Sequence, residues 1–218
     1  VWVGKNGPLL IAEIGGNHEG DFDKANYYLD LAIQSGVDCV KFQLYSGDTL
    51  VNKKLSLSRN QHFKKFELSK EQHIEIAKMC KKAKVIYLAS VWEESSLNWI
   101  DKYLKFYKIG SGDLTAYPIL SLLAKRDKPI ILSTGLSTLK EIKNTIKFLR
   151  QQNKKYKKEN YLALLQCTSS YPTDDASEFF SEFSEQKHGN PDRKIVAHAI
   201  GKKGDGKSSQ VGKAKNER

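Results

Sequence analysis

Short apolar segments alternate with amphipathic helical segments along most of this 218-residue chain, and this alternation constrains the fold more than any other feature. Runs of about four to eight aliphatic and β-branched residues predict strands. The six strands are expected within LLIAEIGGN at 9–17, CVKFQ at 39–43, VIYLAS at 85–90, FYKIGSGD at 106–113, PIILSTG at 129–135 and LALLQCTSSYP at 162–172. Strands that are apolar on both faces and separated by helices indicate an α/β fold with a parallel sheet covered by helices. A (β/α)8 barrel and a doubly wound sheet both fit this pattern.

Local signals place helices between the predicted strands. Ser69 with Gln72, and Thr138 with Glu141, have the spacing of a capping box, in which each side chain bonds the backbone N–H of the other residue. The first helix is expected to end at Gly36, because glycine adopts the left-handed conformation that commonly follows a helix.

Polar residues interrupt the apolar strands, and they suggest a binding site. Because side chains alternate along a strand, Lys41 and Gln43 share one face, and Lys108 lies opposite its apolar neighbours. A buried ammonium group costs several kcal/mol unless a carboxylate or a bound anion lies beside it. Glu13 can neutralise only one of the two lysines, so the sequence predicts an anion site at the carboxyl ends of the strands. Hydroxyl donors for that anion are available at Ser90, Ser111 and Ser133. The alternative is that both lysines extend to the surface and pair with exposed acids.

Five segments carry a resemblance to a known family. IAEIGGNHEGD, VKFQ, YKIGSGD, PIILSTG and LLQCTSSYP, in this order and spacing, resemble the N-acetylneuraminate (sialic acid) synthase family, which includes legionaminate and pseudaminate synthases. The resemblance spans about residues 9 to 173. It implies a TIM barrel, and a synthase that condenses phosphoenolpyruvate with an N-acetylated amino sugar. The sugar would be N-acetylmannosamine or a related compound, and the products a sialic-acid-type nonulosonic acid and phosphate.

The resemblance also implies roles for individual residues. Glu13 would transfer a proton beside the reacting carbons. The residues that would bind phosphoenolpyruvate are Lys41, Ser90, Lys108, Ser111 and Ser133. The residues that would line the sugar side are Gln43, Asp113 and Tyr171, where Asp113 replaces the Glu of some relatives. For Asn17 and His18, we expect side chains that mainly satisfy backbone groups of their loop.

The sequence departs from the family pattern after the sixth strand. Family members bind a divalent metal, manganese or magnesium, through histidines in a GYSDH-like and an ERH-like strand, and neither motif occurs here. We therefore expect an incomplete barrel domain over residues 1–175 and no metal ligands. Residues 176–218 are expected to form a divergent, largely disordered basic tail, in which KIVAHAIG, containing His198, is a weak strand candidate.

Composition excludes several other classes of protein. The net charge of +11 could attract nucleic acid, but the lysines are scattered over predicted helix faces rather than gathered in one motif. Neither an apolar run of about 18 residues nor a secretion signal is present, so we expect a cytoplasmic protein without a membrane partner. The wide spacing of Cys39, Cys80 and Cys167 argues against a disulfide framework or a zinc cluster.

Members of the N-acetylneuraminate synthase family, which the chain resembles, form homodimers.

Two other functions remain open from the sequence. Lys41 or Lys108 could form an imine with a keto acid, as in a Schiff-base aldolase. A truncated, catalytically inactive barrel could instead bind anions or act as an assembly partner.

Overall fold

The structure is a computed structural model, and it describes residues 2–158, 160–167 and 198–200. It divides into two compact units. The first unit contains Val3–Tyr107 together with the described residues 198–200. The second unit contains Trp2 and the described residues from Lys108 onward to position 167. Each unit has its own sheet.

The first unit is built on a four-stranded parallel sheet. Its strands are β3 (Ile11–Gly15), β4 (Cys39–Leu44), β5 (Ile86–Val91) and β9 (His198–Ile200), and their order across the sheet is β5-β4-β3-β9. The first three strands are those predicted from the apolar runs. Most residues of β4 and β5 are buried, as expected for strands with both faces covered.

Five helices accompany this sheet, and local capping explains where the longer ones begin. The helices are α1 (Phe22–Gln34), α2 (Gly47–Leu50), α3 (Leu57–Phe66), α4 (Lys70–Lys82) and α5 (Glu94–Ile100), the last continuing into a 3₁₀ turn at Asp101–Tyr103. The carboxylate of Asp21 accepts from the Lys24 N–H at the start of α1, and the predicted capping box between Ser69 and Gln72 opens α4. After α1, Gly36 has a φ of 79°, which confirms the predicted glycine stop.

An antiparallel hairpin of β1 (Val3–Gly4) and β2 (Gly7–Pro8) precedes the main sheet. The Asp38 carboxylate, 8% exposed, accepts hydrogen bonds from the Lys5 N–H at 2.8 Å and the Leu10 N–H at 2.9 Å. One carboxylate thus ties the hairpin to the start of β4. A side chain at Gly4 would not fit, because its Cβ would lie 2.0 Å from Asp38 Oδ2.

The segment between β4 and α4 is held by Asn60 and by a close contact with Gly20. Asn60, 3% exposed, donates to the Gly47 carbonyl at 2.9 Å and to the Val51 carbonyl at 2.8 Å. A Cβ at Gly20 would lie 1.9 Å from the Lys65 carbonyl oxygen, so α3 approaches the loop after β3 as closely as a glycine permits. These contacts fix the segment that follows the carboxyl end of β4.

The second unit contains a sheet with the order β6-β7-β8, in which β7 and β8 are parallel. Its elements are β6 (Tyr107–Ile109), α6 (Tyr117–Lys125), β7 (Ile130–Ser133), α7 (Leu139–Gln152) and β8 (Leu162–Leu165), with 3₁₀ turns at Ser111–Asp113 and Lys154–Lys157. The predicted capping box between Thr138 and Glu141 opens α7. The buried Thr145 hydroxyl then donates to the Leu114 carbonyl at 2.9 Å.

The α/β class with parallel strands is confirmed, whereas a closed barrel stays a prediction. Strand β9 lies within the segment for which a largely disordered tail was expected, in the weak candidate KIVAHAIG, and it pairs with β3. The rest of that segment lies outside the described residues. In the part of the chain that is described, no helix is long and apolar enough to cross a membrane.

Candidate functional site

Glu13 and Lys41 form a buried ion pair in the centre of the first unit's sheet. The two residues lie directly opposite each other on the neighbouring strands β3 and β4, so the register of the sheet brings them together. The Lys41 ammonium group contacts the Glu13 carboxylate, and Lys41 is only 4% exposed. The prediction that Glu13 neutralises one buried lysine therefore applies to Lys41, and the alternative of an exposed Lys41 is wrong.

Further predicted site residues lie beside this ion pair. Gln43 and Ser90 are paired across β4 and β5, and Ser90 is buried. Gly15 has a φ of 57°, and a Cβ there would lie 3.1 Å from Glu13 Oε1. A larger residue at Gly15 would therefore crowd the Glu13 carboxylate. The lack of a side chain at Gly15 leaves room for it.

The opposite face of β4 packs against an imidazole ring from α4 and an aromatic ring from β5. The Phe42 ring stacks on Tyr87 at 6.3 Å and meets His73 edge-on at 6.4 Å. His73 Nδ1 and the Tyr87 hydroxyl are hydrogen-bonded at 2.8 Å. Burial, helped by the nearby His18, lowers the pKa of His73 to about 3, which keeps the ring neutral. The rings of Phe42, His73 and Tyr87 thus lie on the side of β4 opposite to Lys41. The sequence did not predict this group of rings.

The loop after β3 uses its polar side chains for its own backbone. The Asn17 side-chain amide donates to the Ile14 carbonyl at 2.9 Å. His18 Nδ1 accepts from the Gly20 N–H at 3.0 Å, and burial lowers the pKa of this ring. These contacts agree with the structural role expected for both residues.

The second unit carries Lys108 and the predicted serines. Lys108 is 5% exposed, and its ammonium group donates to the Ile109 carbonyl at 3.1 Å. Ser133 is buried at the carboxyl end of β7. Lys108, like Lys41, is therefore a buried lysine on a strand, as the alternation pattern predicted. That the two lysines face one shared pocket stays a prediction.

A cavity of about 290 Å³ lies at the end of β7 in the second unit. Its lining residues are Ser111, Gly112, Leu114, Thr115, Gly135, Leu136, Ser137 and Glu141. The Gly135 N–H donates to the Ser111 hydroxyl oxygen at 2.9 Å, which joins the loops after β6 and β7. Sequence reasoning missed this role of Gly135, although its position at the end of a strand with Ser133 was a usable signal.

Asp113 and Tyr171 are the other two residues predicted to line the sugar side. Asp113 closes the 3₁₀ turn after β6, where a Cβ at Gly110 would lie 3.6 Å from its Oδ2. Tyr171 lies outside the described residues.

The described residues do not fit a resident metal ion. In the ranges 2–158 and 160–167, no three His, Cys, Asp or Glu side chains are grouped closely enough to hold one. A divalent cation therefore stays an expectation from the resemblance, and no step of the chemistry below depends on it.

Comparison with known proteins identifies relatives over most of the chain. The model of the NeuB family matches residues 28–181. The N,N'-diacetyllegionaminic acid synthase of Campylobacter jejuni is 34% identical over 177 residues, which cover 75% of this chain and 52% of that protein. The human N-acetylneuraminate-9-phosphate synthase is 29% identical over 185 residues, covering 78% and 50%. The chain thus spans about half the length of the curated relatives it matches.

Solved structures agree with this relationship. An N-acetylneuraminic acid synthetase from Leptospira borgpetersenii superposes with a TM-score of 0.75 at 23% identity, over 87% of this chain and 64% of that one. A spore coat polysaccharide biosynthesis protein from Bacillus subtilis superposes with a TM-score of 0.70 at 26% identity, over 88% and 53%.

Proposed function

Because this chain belongs to the NeuB family, we propose that it forms the phosphoenolpyruvate-binding part of a sugar-acid synthase. The proposed reaction condenses phosphoenolpyruvate with an N-acetylated amino sugar, such as N-acetylmannosamine, to give a nonulosonic acid and phosphate. The names of the Campylobacter and human relatives support this class of product.

The main structural support is the burial of Lys41 and Lys108, which are 4% and 5% exposed. Electrostatic attraction to an anion is stronger for a buried ammonium group than for an exposed one, because the surrounding dielectric constant is lower. Phosphoenolpyruvate offers a phosphate and a carboxylate to such groups. Ser90, Ser111 and Ser133 could add hydrogen bonds to the phosphate oxygens.

The proposed chemistry requires that phosphoenolpyruvate and the sugar be oriented relative to each other, and that one residue transfer a proton. A bond forms between C3 of phosphoenolpyruvate and the aldehyde carbon of the open-chain sugar, the aldehyde oxygen gains a proton, and water enters as phosphate leaves. Cationic side chains would hold the anion so that its C3 meets the aldehyde, which replaces a random encounter by an oriented one. Glu13, fixed by Lys41, would serve as the proton-transfer group.

Thermal denaturation with phosphoenolpyruvate tests the anion site. At a concentration about 100 times its Kd, a ligand that binds only the folded state raises the free energy of unfolding by about 2.7 kcal/mol. For a chain of this size, this corresponds to a rise in Tm of roughly 5–10 °C. The double variant Glu13→Gln with Lys41→Met removes both charges of the pair together, so no buried charge is left unpaired. We expect it to fold and to lose most of the Tm shift.

Lys78→Met is the matched control, because Lys78 lies on the exposed face of α4 in the same unit. Its Tm shift with phosphoenolpyruvate should equal that of the wild type. A wild-type protein whose Tm does not change with phosphoenolpyruvate would contradict the proposed anion site.

The Schiff-base alternative finds less support at Lys41. Imine formation requires the Lys41 nitrogen to attack a carbonyl carbon, whereas in the structure this nitrogen contacts the Glu13 carboxylate. Borohydride treatment in the presence of pyruvate should therefore leave the mass of the protein unchanged. A stable adduct on Lys41 or Lys108 would favour the aldolase reaction. Phosphate release with added manganese would separate the synthase from an inactive anion-binding barrel.

A further inference from the structure

Leu136 combines two unfavourable features at the end of β7. Its φ of 55° lies in the left-handed region, which only glycine and a few short polar residues adopt readily. Its side chain is 92% exposed to solvent. A glycine at this position would remove both the backbone strain and the exposed apolar surface.

The backbone on both sides of Leu136 is held by hydrogen bonds, so its conformation is imposed by the surrounding structure. Before it, the Thr134 N–H and hydroxyl both donate to the Leu165 carbonyl, at 3.0 and 2.9 Å. Next to it, the Gly135 N–H donates to the Ser111 hydroxyl oxygen at 2.9 Å. After it, the Ser137 hydroxyl donates to the Gly135 carbonyl at 3.3 Å. A strained residue that is fixed in this way, beside a cavity, is a candidate for a functional contact.

The surroundings of Leu136 indicate what kind of group it could contact. It lines the cavity of about 290 Å³ together with the hydroxyl-bearing residues Ser111, Thr115 and Ser137, the acidic Glu141 and Leu114, which is itself buried. A ligand of this cavity would therefore be mostly polar, with one apolar group beside the exposed Leu136. N-acetylmannosamine has that composition, since its acyl methyl is its one purely apolar group.

We propose that Leu136 is a specificity residue that contacts the acyl methyl of the amino sugar. This inference rests on the proposed function and deepens it, because it assigns recognition of the N-acyl group to a residue of the β7 loop. The contact explains why a leucine occupies a position where glycine would be less strained.

The binding of N-acetylmannosamine, followed by NMR titration with phosphoenolpyruvate present, tests the contact. In the wild type, saturation of protein methyl groups should transfer to the acetyl methyl of the sugar. Leu136→Ala should raise the Kd of the sugar about tenfold, as expected for loss of a small apolar contact, and Leu136→Met should restore it. Mannosamine, which has no acyl group, should bind the wild type and Leu136→Ala equally.

A stability measurement separates a binding role from a structural one. Leu136→Gly should melt at or above the wild-type Tm, because it relieves the left-handed conformation, and yet bind the sugar as weakly as Leu136→Ala. Lys84→Gly is the matched control, since Lys84 has the same kind of backbone conformation, with a φ of 57° between α4 and β5. It should leave sugar affinity unchanged.

The outcomes distinguish the two proposals. If phosphoenolpyruvate raises Tm but the acetyl methyl receives no saturation, or if Leu136→Ala binds the sugar like the wild type, the role of Leu136 is overturned and the anion site stands. If phosphoenolpyruvate does not bind at all, both proposals fail.

Discussion

His73 illustrates how strongly burial alone can control one residue. Its ring is completely buried between Phe42, Tyr87 and Trp99, and Nε2 has no hydrogen-bond partner among the described residues. Burial lowers the folded-state pKa to about 3, compared with about 6.5 in the unfolded chain. The unfolded state therefore binds a proton at a higher pH than the folded state does, so stability is fully present above pH 6.5 and falls as the pH decreases toward 3.

The pH dependence of unfolding tests this account of His73. The contribution of His73 to the free energy of unfolding should decrease by about 1.4 kcal/mol for each pH unit below pH 6.5. At pH 5 the loss should be about 2 kcal/mol. Urea denaturation at several pH values measures this loss, and His73→Gln should reduce the slope. His62→Gln, at an exposed position of α3, should keep the wild-type slope. Equal slopes for the wild type and His73→Gln would refute the assignment.

Helix α3 shows how an element can depend on a polar residue rather than on an apolar stripe. Asn60 is its buried residue, and the side-chain amide satisfies two backbone carbonyl groups. Asn60→Ala should therefore lower the free energy of unfolding by about 2–3 kcal/mol, because both carbonyl groups lose their partner. Chemical denaturation measures the change. Asn144→Ala, on the exposed face of α7, should alter stability by less than about 0.5 kcal/mol, and a similar loss in both variants would contradict the role of Asn60.

The difference between local sequence patterns and hydrogen bonds from distant residues explains which elements could be predicted from the sequence. The six apolar strands and both capping boxes follow from local patterns, and the structure has them. The hairpin β1–β2 and helices α2 and α3 were missed, because they depend on distant bonds from Asp38 and Asn60 rather than on periodicity.

For the candidate site, the sequence predicted the buried lysines and the neutralising Glu13, but not which lysine Glu13 contacts. Alternation along a strand places Lys41 and Lys108 away from the apolar face. It cannot tell which lysine Glu13 contacts, because that depends on the register between β3 and β4. Leu136 carried no sequence signal, since the hydrogen bonds that hold its neighbours Gly135 and Thr134 go to Ser111 and Leu165, which are distant in sequence.

At the scale of the whole molecule, the net charge of +11 opposes compaction through repulsion between like charges. Adding salt shortens the screening length from about 30 Å at 0.01 M to about 8 Å at 0.15 M. The Tm should therefore rise by a few degrees when sodium chloride increases over this range, and potassium chloride should have the same effect. A Tm that falls with either salt would mean that attractive ion pairs outweigh the general repulsion.

The pairing of β3 with β9 has a consequence for how the protein is made. Glu13 and Ile200 are register partners in adjacent strands, although almost the entire chain separates them. At about 5–20 residues per second, the ribosome adds Ile200 roughly 10–40 s after Glu13. During that time, the backbone groups of β3 that later bond to β9 have no partner strand. A chaperone or a neighbouring nascent chain could pair with them instead.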